Sequence, residues 1–87
     1  MPQFVEKSVA ITIGDSVTNI GEYAFSDCSL LETVSFVGNS QLVDIGSQAF
    51  YNCNSLTNIT IPDSVTNIGY EAFYACDALT SITIHLY

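Results

Sequence analysis

The chain has 87 residues, room for one domain (1–87) with a limited core, and its composition is 48% hydrophobic against 11% charged, the reverse of a disordered chain. Nine acidic residues face a single base, Lys7, for a net charge of −8, which excludes the basic stripe that nucleic acid or anionic lipid requires. No apolar run is long enough to span a bilayer, so no membrane insertion is expected, and Met1 to Lys7 lacks the charged-then-apolar layout of a signal peptide.

In chain order, the first eight residues read as a degraded half-repeat, since one period back from Cys28 falls on Val5 and from Leu31 on Ser8. Next comes a short alternating run, Ala10-Ile11-Thr12-Ile13, which returns as Thr33-Val34-Ser35-Phe36, Asn58-Ile59-Thr60-Ile61 and Ser81-Ile82-Thr83-Ile84. Apolar residues alternating with small polar ones, most of them β-branched, mark a half-buried strand. A turn at Gly14-Asp15-Ser16, or Pro62-Asp63-Ser64, leads to a second short extended piece ending in Gly. The third part of each unit is Ile-Gly-x-x-Ala-Phe-x-x-Cys, found at 20–28, 45–53 and 68–76. Its spacing suits one or two helical or 3-10 turns, too short to stand as a free helix.

Self-similarity at this period is the signature of a solenoid. Phe25, Phe50 and Phe73 are 25 and then 23 residues apart, as are the glycines and the cysteines. The two extra residues fall near Val37-Gly38-Asn39-Ser40, where a loop should bulge outward. The expected repeats are approximately 8–30, 31–55 and 56–78, with a partial repeat at 79–87. The fold read from these units is a β-rich solenoid of about three to four coils, with one parallel strand per coil and short helical or 3-10 turns at the Ala-Phe-x-x-Cys segments. Inward columns would be Ile11, Val34, Ile59, Ile82, then Ile20, Ile45, Ile68, then the Ala-Phe pairs, with Leu31, Leu56 and Leu79 closing each coil. No repeat could bury these alone, but stacking joins them into one core. Gly21, Gly46 and Gly69 should supply either a backbone shape or a close approach that a side chain would block.

The run Leu56-Thr-Asn-Ile-Thr-Ile-Pro-Asp-Ser-Val-Thr-Asn-Ile-Gly-Tyr-Glu-Ala-Phe-Tyr-Ala-Cys76 resembles the leucine-rich repeats of BspA-like surface proteins, over about residues 9 to 84. The resemblance implies a leucine-rich-repeat solenoid without enzymatic activity. It implies a place outside the cell or on its surface. It also implies a role in binding or adhesion to a protein partner, such as a host matrix or cell-surface protein.

The residues themselves offer little chemistry. Cys28, Cys53 and Cys76 read as small buried apolar residues in a ladder. A disulfide between two of them is the alternative, since adjacent coils lie about 5 Å apart. A stacked ladder without Cys-x-x-Cys does not suit zinc. His85 has no nucleophile and orienting partner nearby in sequence, and the scattered acids do not form a calcium loop. No cofactor is expected and none of the common catalytic motifs is present. The candidate binding surface is the outward strand face, Thr33, Ser35, Asn58, Thr60, Ser81 and Thr83. Its bland counterpart is that Thr simply suits an exposed strand. Tyr51 and Tyr74, one repeat apart, are a second outward feature. The uncapped ends, with Leu79, Ile82 and Ile84 and their neighbours Leu86 and Tyr87, suggest a homo-oligomer as the other role.

Overall fold

The computed structural model describes residues 9–83. Strands form where the sequence alternates: β1 (Val9–Ile13), β2 (Asn19–Ile20), β3 (Leu31–Phe36), β4 (Asp44–Ile45), β5 (Asn58–Thr60), β6 (Asn67–Ile68) and β7 (Ser81–Thr83). The chain winds as a parallel β-solenoid of about three turns. One side is a parallel sheet in the order β1-β3-β5-β7 and a second side is a smaller one in the order β2-β4-β6. Every neighbour is parallel because each coil carries the chain round the core before the next strand begins.

The register is the one the apolar columns require. Ile11 pairs with Val34, Val34 with Ile59 and Ile59 with Ile82. On the second side Ile20, Ile45 and Ile68 are stacked in register. A one-residue slip would turn each of these columns outward, so burial fixes the pairing.

The third side differs from the helical or 3-10 turns that the spacing suggests. No helix occurs among the described residues. Instead, tandem β-turns run along each coil. The amides of Ala24, Ser26 and Cys28 donate to the carbonyls of Gly21, Tyr23 and Phe25 at 3.1, 3.1 and 3.3 Å. The intervening amides point along the solenoid: Tyr23, Phe25 and Asp27 donate to the carbonyls of Ser47, Ala49 and Tyr51 in the next coil, at 3.2, 2.7 and 2.8 Å. Gln48, Phe50 and Asn52 repeat this toward Tyr70, Ala72 and Tyr74. A helix would send all its amides in one direction. Here Tyr23, Asp27, Gln48, Asn52, Glu71 and Ala75 take left-handed φ values between 53° and 62°, and this stops a helix from continuing. Such a conformation costs about 1–2 kcal/mol per non-glycine residue. The inter-coil hydrogen bonds offset that cost.

The core fills the space between the three sides. Leu42, Ile45, Ala49, Phe50, Cys53 and Leu56 of the middle coil are wholly buried, while Phe25 and Phe73 on either side are half-buried. The phenylalanine rings stack, with centroids 5.3 Å apart from Phe25 to Phe50 and again from Phe50 to Phe73. Gly46 and Gly69 are required for close approach, since neither has a positive φ. A Cβ on Gly46 would lie 2.7 Å from the Glu22 nitrogen and one on Gly69 would lie 2.4 Å from the Ser47 nitrogen.

Candidate binding groove on the strand face

The outward residues of the large sheet form the columns read from the sequence. Thr33 pairs with Asn58 and Asn58 with Ser81, while Thr60 pairs with Thr83. Ser35 pairs backward with Thr12. Ser35, Asn58, Thr60, Ser81 and Thr83 are exposed, and Thr33 is half-buried. Small hydroxyl side chains on alternate residues leave this face low and uncharged.

The six residues do not share one site. Ser35, Asn58 and Thr60 line a groove of about 630 Å³, whereas Thr33, Ser81 and Thr83 lie outside it. Its remaining walls are Val37, Gly38 and Ser40 of the middle coil and Pro62, Asp63 and Ser64 of the next. The two inserted residues thus do more than bulge outward, because their loop forms one wall. Local bonds hold both walls. The Ser40 amide donates to the Val37 carbonyl at 3.1 Å, and the Leu42 amide to the Ser40 hydroxyl at 3.3 Å. The Ser64 hydroxyl donates to the Leu42 carbonyl at 2.6 Å, tying one wall to the other coil. The only charged residue in the lining is Asp63.

The nucleophilic side chains are directed elsewhere. All three cysteines are free thiols. The Cys53 thiol donates to the Phe25 carbonyl at 3.1 Å and the Cys76 thiol to the Phe50 carbonyl at 3.0 Å. Each therefore bonds one coil back. Burial pushes the Cys53 thiol up to about 11 from 9.0 and raises Cys76 as well, the opposite of an activated nucleophile. Among the described residues no group of three or more His, Cys, Asp or Glu side chains could hold a metal ion. His85 and the apolar end residues Ile84, Leu86 and Tyr87 lie outside the described residues.

The raised Cys53 value has a consequence for stability. Below pH 9.0 both folded and unfolded thiols keep their proton, so the fold has its full stability there. Between 9.0 and about 11 only the unfolded chain releases it, so stability falls as pH rises. The slope from this thiol is about 1.4 kcal/mol per pH unit. Urea denaturation at a series of pH values should show Cys53→Ala losing stability less steeply than the parent over this window. Equal slopes would mean that the thiol is not held neutral by burial.

Other inter-coil contacts were not visible in the sequence. The Asn67 amide donates to the Asp44 carboxylate at 2.7 Å, the Asn52 amide to Asp27 at 2.9 Å and the Gln48 amide to Glu71 at 3.0 Å. Tyr51 and Tyr74 stack at 5.4 Å on the turn side, away from the groove lining. The signal for these contacts was present as one residue per coil at equal positions, but it needed the register to be known.

Among known protein families, the model described as "BspA type Leucine rich repeat region (6 copies)" matches residues 4–86. No curated protein and no solved structure matches the chain. The family is associated with surface proteins and is generally a non-enzymatic repeat scaffold that supports protein interaction. Among the described residues no helix is long and apolar enough to cross a membrane. With nearly the whole length matched, the chain belongs to the BspA-type leucine-rich-repeat family.

Proposed function

We propose that this chain is a protein-binding module of adhesion type, displayed outside the cell or on its surface, that holds a protein partner such as a host matrix or cell-surface protein. The observation that carries this reading is the groove over Ser35, Asn58 and Thr60. It offers hydroxyl and amide groups without burying a charge. Polar groups of this kind can exchange water for a partner's main chain at little cost, and solenoid faces provide extended binding surfaces. Thr33, Ser81 and Thr83 would extend the contact along the strands.

The test is capture on immobilised extracellular-matrix proteins and on intact host cells. Asn58→Lys with Thr60→Lys fills the groove with two long cations and should weaken capture by at least about tenfold, or 1.4 kcal/mol. Thr18→Lys, exposed and outside the groove, should leave it unchanged. Circular dichroism melts confirm that all variants fold. Capture that is the same for the parent and both variants would reject the groove as the binding surface.

A further inference from the structure

The strand face carries a modification motif that the binding reading leaves unused. Of the six asparagines, only Asn58 has a hydroxyl residue two places on, in Asn58-Ile59-Thr60. Asn-x-Ser/Thr, with x other than Pro, is the acceptor pattern for N-linked glycans. The chain contains its own contrast. Thr-Asn-Ile occurs at 18–20, 57–59 and 66–68. In the first and last copies the next residue is the corner glycine, Gly21 or Gly69. A Cβ at Gly69 would lie 2.4 Å from the Ser47 nitrogen, so no Ser or Thr fits there. The strand copy has no such constraint, and Thr60 follows.

The geometry suits an acceptor. Asn58 and Thr60 are exposed and, two residues apart in β5, stand on the same side of the sheet. Ile59 between them is 1% exposed and anchors the strand. The cross-strand neighbours of Asn58 are Thr33 and Ser81, both small, so no bulky side chain stands beside its amide in the column. Asn52 and Asn67 use their amides to bond Asp27 and Asp44. Among the described residues the Asn58 side chain has no hydrogen-bond partner, so substitution at its Nδ2 breaks no bond of the fold.

We propose that Asn58 is the acceptor for an N-linked glycan and that this glycan covers the strand-face groove. The proposal rests on the reading of the chain as displayed outside the cell, since export brings it to an oligosaccharide transferase. The donor is an oligosaccharide carried on a polyprenyl diphosphate. Asn58 Nδ2 forms a bond to the anomeric carbon, and the bond from that carbon to the diphosphate oxygen breaks. The polyprenyl diphosphate leaves with the electron pair, and the amide gives one proton to the transferase. Asn58 belongs to the groove lining with Ser35 and Thr60. The first sugars would therefore lie over those hydroxyls, and the bare chain would be open where the glycosylated chain is closed.

The test sends the full chain, behind an added export signal, through a eukaryotic secretory route. Mass spectrometry of the secreted chain should show one glycan, at position 58. Asn58→Gln and Thr60→Ala should carry none, while Thr60→Ser should keep it. A parent without the glycan, or a glycan that persists in Asn58→Gln, would overturn the acceptor. Cover of the groove is read by thiol labelling. Ser35→Cys puts a probe in the lining and Gly38→Cys a second one, where a Cβ meets nothing within 4 Å. Thr18→Cys is the exposed control outside it. Each is compared with the same variant from cells treated with an inhibitor of donor assembly. The glycan should slow labelling several-fold at positions 35 and 38 and leave position 18 unchanged. Equal rates at positions 35 and 38 would overturn the covering. No readout uses a binding partner, so a chain that takes the glycan but captures no matrix protein would sink the binding reading alone.

Discussion

Phe50→Ala should remove a large share of the stability of this domain. Phe50 is 0% exposed and its ring lies between two others, 5.3 Å from each, with interplanar angles of 14° and 2°. Truncation to alanine opens a cavity between coils that continue above and below, so the walls cannot collapse into it. Large-to-small changes of this kind cost about 3–5 kcal/mol. At about 0.05–0.15 kcal/mol per residue, the whole chain has roughly 4–13 kcal/mol to lose. The same change at Phe25 or Phe73 should cost less, since each is half-buried and stacks on one ring only. Urea titration followed by circular dichroism ranks the three. A Phe50→Ala midpoint equal to that of the parent would show that the ring column is not the centre of the core.

The second large effect is expected from one methyl group. Gly69→Ala sets a carbon 2.4 Å from the Ser47 nitrogen and 2.6 Å from the Gly46 carbonyl carbon, both backbone atoms with no rotamer to yield. Accommodation would require the coils to part at the corner. That would strain the Gly69 to Ile45 and Gln48 to Tyr70 hydrogen bonds, at 2.7 and 2.9 Å. Overpacking usually costs about 1–3 kcal/mol, and contact with backbone on a rigid corner belongs at the top of that range. Gly46→Ala should behave alike, with its nearest backbone atom at 2.7 Å. Gly21→Ala should be neutral, or slightly stabilising because alanine restricts the unfolded chain. Thermal melts of the three variants check the order. If Gly69→Ala and Gly21→Ala melted together, close approach would not be the reason for the corner glycine.

The apolar columns were legible because each coil contributes one residue to each, so a single spacing exposes Phe, Gly, Cys and the strand isoleucines together. The corner glycines were half legible. Their repetition showed a constraint, but choosing between backbone shape and close approach required the distance to the next coil. The third side was misread for a physical reason. Ala-Phe-x-x-Cys suits a 3-10 turn as well as tandem β-turns, and the residues that take left-handed φ are poor clues. Asp27 and Asn52 are types that tolerate it, whereas Tyr23, Gln48, Glu71 and Ala75 are not. At the candidate site, the outward columns were placed in the right register, since alternation alone sets them. The groove was not visible, because it depends on where the inserted loop stands relative to the Pro62 turn of another coil. The thiol bonds to Phe25 and Phe50 were hidden for the same reason, as they join residues 28 and 26 positions apart.

The amide-to-carboxylate bonds between coils also give the repeats an order. The apolar columns are nearly the same in every coil, so by themselves they would let one coil take another's place. The polar columns are not alike: Asn19, Asp44 and Asn67 form one, Asp27, Asn52 and Ala75 another, Tyr23, Gln48 and Glu71 a third. Exchanging the second and third coils would set Ala75 beside Asp27, and the Asn52 to Asp27 bond would be lost, while the Asn67 to Asp44 and Gln48 to Glu71 pairs would stay adjacent. Hydrophobic identity makes the coils stackable. The side-chain amides and acids add an address at the first junction, where Asn52 finds Asp27 and Ala75 could not.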